Sequence, residues 1–153
     1  MDLLLWRHAE AHDARPGQDD LSRALTERGE RQARLMADWL AERLPADARL
    51  IASPARRTQQ TVQALGRPYD TVQALAPDAA VDAVLQAARW PNAGRTVVVV
   101  GHQPTLGRVA ATLLGGQAQY WEVDKGAVWW LRREPPGAGP AARLLAVRGP
   151  DAP

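Results

Sequence analysis

The chain has 153 residues, 46% of them hydrophobic, enough for one globular domain spanning 1–153 to bury a core without metal or disulfide staples. It has no cysteine, which excludes a disulfide scaffold, zinc–thiolate and iron–sulfur sites, and a cysteine nucleophile. Nineteen basic residues nearly balance seventeen acidic ones for a formal charge of +2, so nothing marks a nucleic-acid-binding polyelectrolyte.

Leu3 to Trp6 is apolar throughout rather than alternating, as expected of a strand covered on both faces in a mostly parallel sheet. Arg7 follows at once, so the run is too short for a signal-peptide core, and no run reaches membrane-spanning length. A cytoplasmic protein with no membrane partner is expected. Thr26 is placed to cap a helix whose apolar Leu35, Met36, Trp39, Leu40 and Leu44 recur at helical spacing, with Pro45 ending it. Leu50 to Ala52 is a short strand. Ser53-Pro54 then reads as an N-cap with proline at the first position of a second helix, which Gly66 closes. Asp78 to Arg89 is expected as a third helix carrying Val81, Val84 and Leu85, and Thr96 to Val100 as the next buried strand. Pro104 to Leu114 follows as a fourth helix, with Val109, Leu113 and Leu114 as its core stripe and Gly115-Gly116 as its stop. Val128 to Leu131 and Leu144 to Val147 read as late strands either side of a Pro/Gly/Ala loop, 135–140. With no phenylalanine in the chain, the six tryptophans are expected as core filler.

Strands alternating with helices indicate an α/β fold, a three-layer α/β/α sandwich around a central, mostly parallel sheet. In such sheets ligands bind beyond the carboxyl ends of the strands, near a switch in strand order. Each of the three apolar strands ends in groups suited to phosphate: Arg7-His8 after the first, Ser53 and Arg57 after the second, His102 after the third. Guanidinium forks satisfy phosphoryl oxygens bidentately and can hold phosphorus in line with a nucleophile. Eighteen of the nineteen basic residues are arginine, Lys125 being the exception; GC-rich coding produces that bias, and arginine also suits bidentate phosphate binding.

Leu5-Trp6-Arg7-His8-Ala9-Glu10-Ala11 resembles the Arg-His-Gly signature of the histidine phosphatase, or phosphoglycerate-mutase-like, superfamily. Asp20-Leu21-Ser22-Arg23-Ala24-Leu25-Thr26-Glu27-Arg28-Gly29 is similar to its Asp-x-x-Arg-x-Leu-Thr-x-x-Gly stretch. Ser53-Pro54-Ala55-Arg56-Arg57-Thr58-Gln59-Gln60-Thr61 resembles its Ser-Pro-x-x-Arg-x-x-Gln-Thr segment, and Val100-Gly101-His102-Gln103-Pro104 its second histidine turn. The four matches occur in order over residues 3 to 107. The resemblance implies His8 as a phosphorylated nucleophile, Arg7 and Arg57 as ligands of the phosphoryl oxygens, and His102 as the second pocket histidine, with no metal or other cofactor. It also brings Ser53 and Asp20 to the substrate. Arg57 rather than Arg56 takes the motif's arginine position; on a helix their side chains point about 100° apart, so one of the two faces the pocket.

Length and an early Arg-His motif make the chain similar to the small SixA-type phosphohistidine phosphatases of this superfamily. Larger members carry an insertion that supplies an acidic proton donor; here that interval is short, and the candidates for a donor are Asp20, then Glu10 and Asp78. Ala9 stands where the signature has glycine, as in other small members. Its Cβ disfavours positive φ, so either the turn after His8 has an ordinary backbone or the pocket is slightly altered. The expected partner is a phosphorylated protein carrying phosphohistidine, or a small phosphorylated substrate, with no nucleic acid. The alternatives are a small-molecule phosphomonoesterase acting on a sugar, nucleotide or cofactor phosphate, and a non-catalytic phosphate-binding module on the same fold. In the plainest reading Asp20 pairs with Arg23, Thr58 and Thr61 serve packing or capping, and His12 is a solvated loop residue.

Overall fold

The computed structural model describes residues 1–151. Six strands form one sheet: β1 (Asp2–Arg7), β2 (Arg49–Ala52), β3 (Asp70–Thr71), β4 (Val97–Gly101), β5 (Val128–Arg133) and β6 (Ala142–Arg148). Four helices accompany them: α1 (Glu27–Ala41), α2 (Arg56–Gln63), α3 (Val81–Ala87) and α4 (Thr105–Gly115). The sheet order is β3-β2-β4-β1-β5-β6, parallel from β3 to β1 and antiparallel for the last two strands. This is the expected mostly parallel α/β sheet, made mixed by a reversal at β5, where β4 returns through α4 to the far side of β1.

Residue parity within the strands builds the layers. Leu3, Leu5, Ile51, Val97 and Val99 face one side, against Leu106, Val109, Ala110 and Leu113 of α4 and Val84 of α3. Leu4, Trp6, Leu50, Ala52, Val98 and Val100 face the other, against Met36, Ala37 and Leu40 of α1 and Val62 of α2. Alternate side chains point to opposite faces, and both faces are roofed by helices, which is why these strands read as unbroken apolar runs.

Thr26 caps α1 by accepting from the Gly29 amide at 2.9 Å, and Gly116, at φ 82°, closes α4. Several expectations are corrected. Leu35 is 47% exposed and lies off the buried stripe of α1, which Ala33, Met36, Ala37 and Leu40 form instead. The third helix begins at Val81, three residues late, because Asp78 adopts φ 67°, outside any right-handed helix. Trp6 alone of the six tryptophans lies in the fully buried core; the other five are partly exposed and pack at its margins. Ser53-Pro54 does not open α2: the cap position is Ala55, without a side-chain cap bond, and Ser53 is diverted to the site described next. Among the described residues no helix is long and apolar enough to cross a membrane.

Candidate active site

The parallel strands β2, β4 and β1 deliver Ser53, His102 and Arg7-His8 to one rim, as register dictates: Trp6 pairs with Val100 and Arg7 with Gly101, while Ala52 pairs with Val100. The His8 amide donates to the Gly101 carbonyl at 3.2 Å and the Ser53 amide to the Val100 carbonyl at 3.1 Å, so the ladder continues into the site. A cavity of about 180 Å³ opens there, with Arg7, His8, Arg57, His102, Arg23 and Asp13 in its wall. The two imidazoles are 5.3 Å apart between ring centroids.

Nδ1 of His8 lies 2.7 Å from the Ala9 carbonyl oxygen. A carbonyl only accepts, so Nδ1 carries the proton and the neutral ring has its lone pair on Nε2. Burial pushes the His8 imidazole down to about 3, against a smaller upward pull from the Ala9 carbonyl, and His102, Arg57 and Arg7 lower it further. Burial first, then Arg57, lowers His102 to about 4. Both rings are therefore neutral near pH 7. Nε2 of His102 lies 2.7 Å from the Ser53 hydroxyl, and the Ala55 amide donates to the same oxygen at 3.2 Å. Ser53 is fully buried, so it meets the cavity through His102 rather than directly.

Arg57, on the first turn of α2, is 3% exposed, whereas Arg56 stands in solvent. Its two terminal nitrogens donate to Asp20, Nη1 to the backbone carbonyl at 2.9 Å and Nη2 to a carboxylate oxygen at 3.0 Å. The other carboxylate oxygen of Asp20 accepts from Arg23 Nε at 2.9 Å. Partial burial alone would raise the Asp20 carboxyl, but Arg57 and Arg23 together outweigh it and hold it below the usual range. Arg7 donates from Nη1 to the Val123 carbonyl at 2.9 Å. Three buried nitrogens in this cluster, Arg7 Nε, Arg57 Nε and His102 Nδ1, have no hydrogen-bond partner among the described residues.

Of the donor candidates, Asp20 is held by two arginines, Glu10 accepts from the Thr26 hydroxyl at 2.8 Å, and Asp78 is exposed on its loop. None of the three forms the cavity wall; Asp13 does. Sequence reasoning gave no site role to Asp13 and Lys125, single polar loop residues with no spacing signal, nor to Gln103, although it stands in the second histidine turn; all three line the cavity. It also passed over the supports of the turn after His8: the Ala9 amide donates to the Thr61 hydroxyl at 3.1 Å and the Glu10 amide to Gln32 Oε1 at 3.0 Å. Ala9 keeps a negative φ and packs its methyl, fully buried, against Leu25 and Ala33, so the turn needs no glycine. Among the described residues there is no group of three or more His, Asp or Glu side chains arranged to hold a metal ion.

The fold that carries this rim is matched by known proteins. The model of the histidine phosphatase superfamily, branch 1, matches residues 3–78, and the chain belongs to that superfamily, a family of phosphatases. Within it the chain is similar to SixA-type members: it is 32% identical over 127 residues to the phosphohistidine phosphatase SixA of Escherichia coli K12, covering 76% of each chain. A chain of Nakamurella multipartitia assigned to SixA superposes with a TM-score of 0.81 at 30% identity, over 99% of this chain and 96% of that one. The protein histidine phosphatase SixA complexed with tungstate gives 0.80 at 26% identity, over 98% and 97%.

Proposed function

We propose that the chain hydrolyses phosphohistidine in proteins, without metal, through a phosphorylated His8. The observation that carries this reading is the neutral His8 ring, fixed by its Nδ1–H bond to the Ala9 carbonyl, in a cavity wall it shares with Arg7, Arg57 and His102. A phosphoryl group in that cavity would lie among two guanidinium groups and two imidazoles, which suit its charged oxygens. Similarity to SixA proteins, one of them solved with tungstate, a phosphate-like oxyanion, supports the same reading.

In the proposed reaction Arg7, Arg57 and His102 take the phosphoryl oxygens, and the Nε2 lone pair of His8 forms an N–P bond as the substrate's own N–P bond breaks. A substrate phosphoimidazole protonated on its second nitrogen keeps the bonding pair and departs as neutral imidazole. Phospho-His8 is then itself an imidazolium, its Nδ1–H still on Ala9, and water attacking phosphorus releases phosphate and restores neutral His8. Neither step requires a dedicated carboxylic acid, consistent with Asp20 being engaged by Arg57 and Arg23. In this scheme Asp20 orients Arg57, and Ser53 orients His102. An alkoxide leaving group would need an acid, and Asp13 is the carboxyl group in the wall.

Steady-state hydrolysis of a phosphohistidine peptide beside a panel of phosphate monoesters tests the substrate class. A kcat/KM for the peptide at least tenfold above every ester is expected. A sugar or nucleotide phosphate turned over faster than the peptide would overturn the reading in favour of a phosphomonoesterase.

A further inference from the structure

Beside the catalytic cavity, the loop after β1 and the start of α2 enclose a second one of about 290 Å³. His12, Asp13, Arg15, Gln18, Ser22 and Arg56 form its wall. The two cavities share Asp13, and they divide two turns between them: Ser22 faces one and Arg23 the other, Arg56 one and Arg57 the other. A group bound at Arg57 is therefore adjoined by this second space.

The charges here differ from those around the phosphoryl pocket. Arg7, Arg23 and Arg57 all have protein partners, the Val123 carbonyl for the first and Asp20 for the other two. Among the described residues, the guanidinium groups of Arg15 and Arg56 make no hydrogen bond or ion pair, and the His12 ring makes none either. An unpaired surface arginine is ordinary, but two of them lining one concavity, with Asp13 the single carboxylate in its wall, leave positive charge facing inward. Gln18 and Ser22 add neutral polar groups.

We propose that this cavity is a second anion subsite, taking a carboxylate or second phosphate carried by the same substrate molecule whose phosphoryl group sits at His8. On the proposed function, which this inference presupposes, a protein substrate supplies that anion as an acidic side chain near its phosphohistidine. Arg15 and Arg56 would then select among phosphorylated proteins while taking no part in phosphoryl transfer.

The test compares phosphohistidine peptides that differ by Glu or Gln at positions flanking the phosphorylated residue, with p-nitrophenyl phosphate as the substrate lacking a second anion. Wild type and the double variant Arg15→Gln/Arg56→Gln are assayed on each. Both residues are exposed, so the variant keeps the fold, and circular dichroism checks it. Wild type is expected to favour a Glu peptide in kcat/KM by about 3- to 10-fold, the range of two exposed ion pairs, with the preference shrinking as salt rises. The double variant should lose that preference while its rates on the Gln peptides and p-nitrophenyl phosphate stay unchanged. No Glu preference in wild type, or an equal loss on all substrates in the variant, overturns the subsite. If no phosphohistidine peptide is cleaved while p-nitrophenyl phosphate is, the proposed function fails separately. The subsite is then read on a small bisphosphate against its monophosphate: discrimination that the variant abolishes supports it, and none overturns it.

Discussion

Arg57 is almost wholly buried while Arg56, one residue earlier in α2, stands in solvent, because a helix turns its side chains by about 100° per residue. Asp20 then takes both terminal nitrogens of Arg57, whose side chain forms part of the cavity wall. Removing that guanidinium strips a fixed positive charge from a desolvated pocket. Arg57→Ala is expected to lower kcat on p-nitrophenyl phosphate by about 10² or more, with Arg56→Ala within about twofold of wild type. Equal losses would mean that α2 is differently registered. The motif spacing made Arg57 legible in sequence, whereas its partner's task was not. Asp20 reads equally well as acid, as substrate ligand or as partner of Arg23, and contact geometry alone shows its two oxygens held by two arginines.

At the scale of elements, two glycines let backbone approach the site. A Cβ on Gly29 in α1 would run into the Glu10 carbonyl, and one on Gly107 in α4 into the Trp121 carbonyl. The first contact holds the segment that follows His8; the second holds the chain just before Val123, whose carbonyl receives Arg7. Gly29→Ala and Gly107→Ala are each expected to cost about 1–3 kcal/mol in denaturant unfolding and to lower kcat, since strain there displaces Arg7 or His8. Gly137→Ala, whose Cβ would meet nothing within 4 Å, is the control and should change neither. Unaltered stability in both helix variants would contradict the packing described. The buried strands and the long helices were legible because burial on both faces writes continuous apolar runs and helical stripes. Strand β3 was not, being two exposed residues held by pairing with Ile51 and Ala52. The start of α2 was misread because the local bond from the Ala55 amide to the Ser53 hydroxyl comes before the helix, which begins at Arg56, while the same hydroxyl also pairs with His102, 49 positions away.

For the molecule as a whole, burying two imidazoles side by side costs acid stability. Their folded values, about 3 for His8 and about 4 for His102, lie below the ~6.5 of an unfolded chain. Between about pH 6.5 and about 4 the unfolded chain therefore binds protons that the folded one does not, and the difference makes stability rise with pH. Stability should fall progressively as pH drops through that window, with no further loss from these two groups below their folded values. Asp2 and Asp20, lowered below 3.8, add a loss of the same sign that begins at about pH 4. Urea midpoints measured from pH 8 to 4.5 should show the slope, and replacing both histidines by asparagine should remove most of it; an undiminished slope would place its source elsewhere. The convergence of Arg7, His8, Arg57 and His102 on one rim was readable from strand ends and motif order. Which ring nitrogen is free was not, because it depends on where the Ala9 carbonyl points.

Trapping the covalent intermediate tests the central claim most directly. Brief incubation with a labelled phosphorylated substrate, followed by a rapid quench, should yield a protein-bound phosphoryl group that is acid-labile and alkali-stable, as phosphoramidates are, and that maps to His8. His8→Ala should abolish both label and turnover, with oxyanion binding retained in part through Arg7, Arg57 and His102. His102→Ala should slow the transfer and leave the residual label on His8. Normal turnover by His8→Ala, or a label on His102 or Ser53, would contradict the assignment of His8 as the nucleophile.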